Sequence, residues 1–188
     1  MKKMILAAAV AMVAGSASAQ AYVQGAFGPT NLAVDCAGTS HCDKDDYGGK
    51  LVGGYAVNPN IAIEAGYVNF GQATANVYMS YYGLVDLTME SRAFYIGGAF
   101  RGDFSSQVAG VARLAVAQVE TKSVIHNSYV SGSSSKTKAN ALLGLGLEFA
   151  LNKQFKLTID ADFTQSPIAE NNETATLRLI SVGGRYSF

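Results

Sequence analysis

Two histidines, two cysteines and a scatter of carboxylates are what this chain offers to ordinary side-chain chemistry. His41 lies between Cys36 and Cys42, with Asp35, Asp43, Asp45 and Asp46 close by. Oxygen ligands at that density suit a hard divalent cation, but their spacing does not follow the calcium-loop pattern, so a solvated acidic loop is expected. His126 precedes Asn127 and Ser128, an order that invites a base-and-nucleophile reading. It lacks an identifiable acidic partner to orient the imidazole. The expectation is therefore no catalytic residue, no cofactor and no metal site. Cys36 and Cys42 are close in sequence, and in an exported chain that favours a disulfide closing a small loop over a metal pair. Such a bridge would stabilise by only about a couple of kcal/mol in the chain-entropy model, so its role would be to shape the loop.

The chain reads as exported. Met1-Lys2-Lys3 is a basic start, Met4 to Ala14 an apolar run, and Ala17-Ser18-Ala19 a small-residue cleavage site. Residues 1–19 are expected to be a signal peptide, and 20–188 one mature domain. The apolar run is too short to cross a membrane, and no other stretch reaches the ~18 residues that a spanning helix needs. The net charge is zero over 188 residues and turns slightly acidic once Lys2 and Lys3 are removed, which excludes nucleic acid as a partner. Twenty Gly, ten Tyr, no Trp and only three Pro point to β structure with close backbone approaches.

The elements that would hold any site are clearest at the C-terminus. Ile180, Val182, Gly184, Tyr186 and Phe188 fall on one side of a strand, and Ser181, Gly183, Arg185 and Ser187 on the other. An apolar face and an open edge would be an aggregation hazard in water. In a bilayer the face is solvated by lipid, and the edge vanishes if this strand closes onto the first. Similar alternation over 21–28, 47–57, 61–71, 87–100, 107–120, 138–151 and 155–165, followed by 174–188, gives eight strands. Short connections at Asn58-Pro59-Asn60, at Arg101 to Ser106 and at Asn152-Lys153-Gln154 alternate with long polar ones over 29–46, 72–86, 121–137 and 166–173. That asymmetry predicts an all-β fold, an eight-stranded antiparallel up-and-down transmembrane β-barrel with short periplasmic turns and long external loops.

The same register collects charge on the inner face. Lys50, Glu64, Arg113, Glu148, Lys156, Asp160, Asp162 and Arg185 all point inward, four cations against four anions, and are expected to pair across the lumen. A soluble sandwich would place them in water instead. Glycines near strand middles would either give these side chains room or relieve curvature. Glu90, Arg92 and Arg178 fall on the outer face and are placed above the membrane band, while Leu177 and Leu179 interrupt the polar inner face.

Two segments resemble a known family. G-G-Y-A-V-N-P-N-I-A-I-E-A-G-Y-V-N-F-G, from Gly53 to Gly71, resembles the second hairpin of the OmpA-like transmembrane-domain family, and G-L-G-L-E-F-A-L-N-K-Q-F-K-L, from Gly144 to Leu157, its third periplasmic hairpin. The final strand, with Ile180, Val182, Tyr186 and terminal Phe188, resembles the C-terminal assembly signal that the barrel-assembly machinery reads. The resemblance implies an integral barrel in the bacterial outer membrane, in contact with its lipid and lipopolysaccharide. No peptidoglycan-binding domain follows Phe188, so tethering to the cell wall is not implied.

Three function classes follow. A barrel of about eight strands is filled by its own side chains, which disfavours a constitutive pore, although a small porin-like channel is an alternative. Among barrel enzymes that modify lipid A, those that deacylate it use a His, a Ser and an acidic residue on neighbouring strands facing lipid, whereas His126-Asn127-Ser128 lies in a polar loop. The preferred reading is a non-enzymatic scaffold whose external loops serve adhesion, surface recognition or envelope integrity, with a host or cell-surface ligand as partner.

Overall fold

Residues 20–33, 39–79, 83–126, 131–167 and 174–188 are described in the computed structural model. The expected signal peptide, residues 1–19, lies outside them. Nine strands form one antiparallel sheet: β1 (Ala21–Ala33), β2 (Thr39–Asp43), β3 (Asp45–Asn58), β4 (Ile61–Met79), β5 (Gly83–Asp103), β6 (Val108–His126), β7 (Ser131–Ala150), β8 (Phe155–Pro167) and β9 (Thr174–Ser187). The short β2 and the longer β3, separated by Lys44, pair in turn with the same neighbour β4, so they form one stave. The result is an eight-stave barrel, closed where β1 pairs with β9, from Tyr22 opposite Ser187 to Ala33 opposite Thr176.

Each short turn is fixed by the side chain that opens it. Asn58 Oδ1 accepts from Asn60 N at 2.9 Å. Ser105 Oγ accepts from Val108 N at 3.1 Å, and Asn152 Oδ1 from Gln154 N at 2.9 Å and Phe155 N at 2.8 Å. Local bonds of this kind are why Asn and Ser favour turns. At the other end β4 carries a bulge between Asn69 and Gln72. Its Gly71 has φ of 72°, and an added Cβ would lie 2.6 Å from Asp46 Oδ2. The bulge lies where the pairing of β4 passes from β3, ending at Asn69, to β2, beginning at Thr74.

The outer wall carries the expected apolar band. Ile63, Phe94, Ile96, Leu114, Val116, Leu143, Leu145, Ile180 and Val182 are all exposed. Aromatic residues ring both edges. Phe27 stacks on Tyr47 with centroids 5.7 Å apart, and Tyr67 meets Phe94 at 4.8 Å. Tyr186 and Phe188 pack edge-on at 5.2 Å near the short turns, where Phe188 N donates to Ala21 O at 3.0 Å. Such belts belong at the two lipid–water interfaces.

The strands are longer than the alternation indicated. The spans expected as long loops at 72–86 and 121–137 are strand over 72–79, 83–86, 121–126 and 131–137. Above the bilayer the outer face meets water, so within 72–79 and 83–86 the pattern reverses, with Ala73 and Val85 buried inside and Gln72, Thr74 and Asp86 exposed outside, while over 132–137 polar residues and Gly occupy both faces.

Candidate functional site

The interior is stacked in layers, beginning with charge. Lys50, Glu64, Arg113, Glu148, Asp160, Asp162 and Arg185 are buried on the lumen face, and Lys156 is half-buried there. They form two groups. In the first, Lys50 Nζ lies 2.5 Å from Asp162 and 3.4 Å from Asp160. Arg113 reaches Asp162 at 3.2 Å and also pairs with Glu64, which accepts from Tyr22 Oη at 2.5 Å. Gln24 Nε2 donates to Asp160 at 2.7 Å. In the second group, nearer the short turns, Glu148 accepts from Arg101 and Lys156 at 3.2 Å each and from Arg185. Arg185 stacks over the Tyr22 ring, 3.3 Å from its centroid, which joins the groups.

Interior glycines make this packing sterically feasible. A Cβ on Gly144 or Gly146 would come within 2.6 Å of Asp162 or 2.5 Å of Asp160, and one on Gly66 within 2.5 Å of the Tyr95 ring. Of the two roles considered for them, room for long side chains is the one these contacts support. Gly53 and Gly98 face outward, where an added Cβ meets almost nothing.

Above the charges sits an apolar plug that the alternation did not anticipate. Leu32, Val68, Phe70, Val119, Leu142, Leu177 and Leu179 pack together with at most 2 % exposure. Leu177 and Leu179, which interrupt the polar inner face in the sequence, belong to it. The alternation that marks the lipid band does not reveal it, because at this height the pattern is reversed, with apolar residues such as Val119 and Leu179 inside and polar ones such as Gln118, Glu120 and Arg178 outside.

Beyond the plug the wall becomes a polar crown. Pairing of β7 with β8 stops at Leu143 opposite Phe163. There Thr164 Oγ1 donates to Ala141 O and Asn140 Nδ2 to Gln165 O, both at 2.8 Å, side chains replacing the ladder. Higher up, Thr121 of β6 contacts Ser166 of β8 through their hydroxyls, and Ser91 lies 3.1 Å from Thr121. The wall is thus sealed behind β7, whose outer half pairs among the described residues with β6 alone and, over 132–140, keeps both faces exposed or half-exposed. Lys136 and Lys138 stand on that half, with Lys122 across from Ser135. On the outer face Arg92 pairs with Glu120 at 3.0 Å, and Ser135 Oγ donates to the same carboxylate at 3.1 Å. The bonds from Arg92 and then Ser135 hold the Glu120 carboxyl below its ordinary value, and Glu120 in turn raises Arg92.

The other candidates fall in the crown as well. Asp45 accepts from Asn31 Nδ2 at 2.8 Å, Asp46 from Gln72 N at 2.8 Å, and Asp43 from Asp45 N at 3.3 Å, so all three hold local backbone and strands. Among the described residues no group of three His, Cys, Asp or Glu could hold a metal ion. Asp35, Cys36 and Ser128 lie outside the described residues. Cys42 sits in β2 and His126 ends β6, where the register sets Asp86 opposite it.

Residues 4–188 match the family described as outer membrane protein beta-barrel domain. The chain belongs to this family. Solved barrels share its fold. Neisserial surface protein A aligns with a TM-score of 0.60 and 15 % identity over 93 % of this chain and 100 % of that one. Ail, the attachment invasion locus protein of Yersinia pestis, aligns with a TM-score of 0.55 and 20 % identity over 90 % and 99 %, in a structure with the heparin analogue sucrose octasulfate. A protein of Haemophilus influenzae described as uncharacterized is 23 % identical over 181 residues, 95 % of this chain and 98 % of the relative. Family membership makes this an outer-membrane barrel, and places the apolar band in lipid.

Proposed function

We propose that this outer-membrane barrel is a closed scaffold whose crown recognises a ligand outside the cell, in adhesion, surface recognition or envelope integrity. The observation that carries this reading is the apolar plug over a paired charge network, which leaves side chains where a water path would run. Function then falls to what projects beyond the bilayer. The β6–β7 hairpin, with Lys122, Lys136 and Lys138 on exposed or half-exposed positions, is the part suited to an anionic glycan, a class consistent with the sulfated compound on the Ail barrel. In this reading lipid and lipopolysaccharide surround the band, the assembly machinery inserts the chain after removal of residues 1–19, and Cys36 and Cys42 are bridged in the crown.

The protein is proposed not to be an enzyme. His126 lies ten residues beyond lipid-facing Val116 on β6, roughly 30 Å along the strand, which keeps it far from a lipid substrate. Exchanging 121–137 for a short Gly/Ser turn should leave the gel-mobility difference between unheated and boiled samples intact while removing retention on immobilised heparin and attachment to host cells. Retention unchanged by the exchange would defeat the reading. So would a stable conductance in planar bilayers, or an altered lipid A mass profile in a His126→Ala strain.

A further inference from the structure

We propose that the periplasmic mouth of the barrel binds one small monovalent anion of the halide class, held between Arg101 and Arg185. Both residues line a cavity of about 30 Å³ whose other walls include Tyr22, Asn58, Ala62, Ala99 and Val111. A volume of this size accepts a single water or a comparable ion.

Charge decides which. Glu148 is the one buried carboxylate of this group among the described residues, and Arg101, Lys156 and Arg185 all point at it. A second carboxylate, Asp103, meets Arg101 at 2.7 Å from the exposed rim. Three cations therefore face two anions, one of them in water. The compensating excess lies in the other group, where Glu64, Asp160 and Asp162 outnumber Lys50 and Arg113, on the far side of Tyr22. Apolar walls screen such a local imbalance poorly.

A second observation points the same way. Arg185 is 7 % exposed, and its Nε–H is buried without an acceptor. A buried guanidinium donor normally finds a partner. A halide in the cavity would accept from Arg185, offset the surplus positive charge and complete the lower layer of the interior, whereas a water would satisfy a donor and leave the charge.

The test uses the folded barrel in detergent or nanodiscs. Crystals soaked in bromide should show an anomalous peak between Arg101 and Arg185, and ³⁵Cl NMR in chloride should show excess line broadening that added bromide competes away and added gluconate does not. Arg185→Gln should abolish most of that excess. Arg101→Gln, a change at the half-exposed rim, should reduce it severalfold even if the first variant folds poorly. Arg92→Gln in the crown should leave it unchanged. No bromide at the mouth, or a broadening that persists in the Arg101 variant and falls in the Arg92 variant, would overturn the proposal.

Discussion

Replacing Glu148 with Gln should destabilise the barrel more than the same change at Glu64, although Glu64 is the more completely buried of the two. Removing one member of a buried ion pair typically costs about 3–5 kcal/mol, because the other charge is left without compensation. In the Glu64→Gln barrel, Arg113 keeps Asp162 at 3.2 Å and Asp160 at 3.6 Å, and the new amide oxygen can still accept from Tyr22. The cost should lie near the lower end, about 3 kcal/mol. In the Glu148→Gln barrel, Arg101 keeps only rim Asp103, while Lys156 and Arg185 lose their carboxylate. Here the cost should reach the upper end, about 5 kcal/mol. With a urea slope of about 2 kcal/mol/M, the folded fraction should lose its midpoint by about 1.5 M in the first variant and about 2.5 M in the second. The chain has no Trp, so the readout is the mobility of the unheated band across a urea series in lipid vesicles. A further Lys156→Met change in the Glu148→Gln background should recover part of the loss. Equal shifts for the two single variants, or a larger one for Glu64→Gln, would refute this count of opposing charges.

Changing both Tyr186 and Phe188 to Ser removes the edge-on aromatic pair at the lower lipid interface, and should reduce outer-membrane barrel in cell fractions, with the remainder degraded in the periplasm; normal levels would argue against a role for the terminal strand in assembly. The Arg92–Glu120 pair should loosen on acidification. Glu120 has a depressed carboxyl, so its contribution is present above the ordinary carboxylate range and is lost as pH falls through its folded value. A Glu120→Gln barrel should show no such step in NMR signals of Arg92 and Ser135.

The register of the wall was legible because lipid imposes a rule on one face only. Ile63, Leu145 and Val182 alternate with Glu64, Gly144 and Ser181, and each falls on the side that this alternation assigns. The interior charges were legible for the same reason, since Lys50 or Arg113 facing hydrocarbon would cost several kcal/mol. Four features were not. Arg101 sits beside a turn, where alternation stops, and its reach to Glu148 comes from barrel geometry. Tyr22 and Tyr95 resemble interfacial aromatics in sequence, yet both point inward over glycines of the neighbouring staves. The plug and the full height of the strands were hidden because above the lipid band apolar residues turn inward and polar ones outward, the reverse of the alternation that marks the band.

The seam between β1 and β9 gives the order of events in folding. Every other strand pairing joins staves adjacent in the chain, and three of those hairpins carry turns held by their own side chains, so they can form early at little entropic cost. The seam joins the two ends of the barrel, and its strands also carry Tyr22, Gln24 and Arg185, which fasten onto Glu64, Asp160 and Glu148. Until those two strands meet, each of these three carboxylates is short of one donor, with only Arg113, Lys50, Arg101 and Lys156 to reach them from the other strands. Sealing the cylinder and filling its bore are therefore one step, and a half-zipped barrel is an open, charged trough that has no stable place in the bilayer.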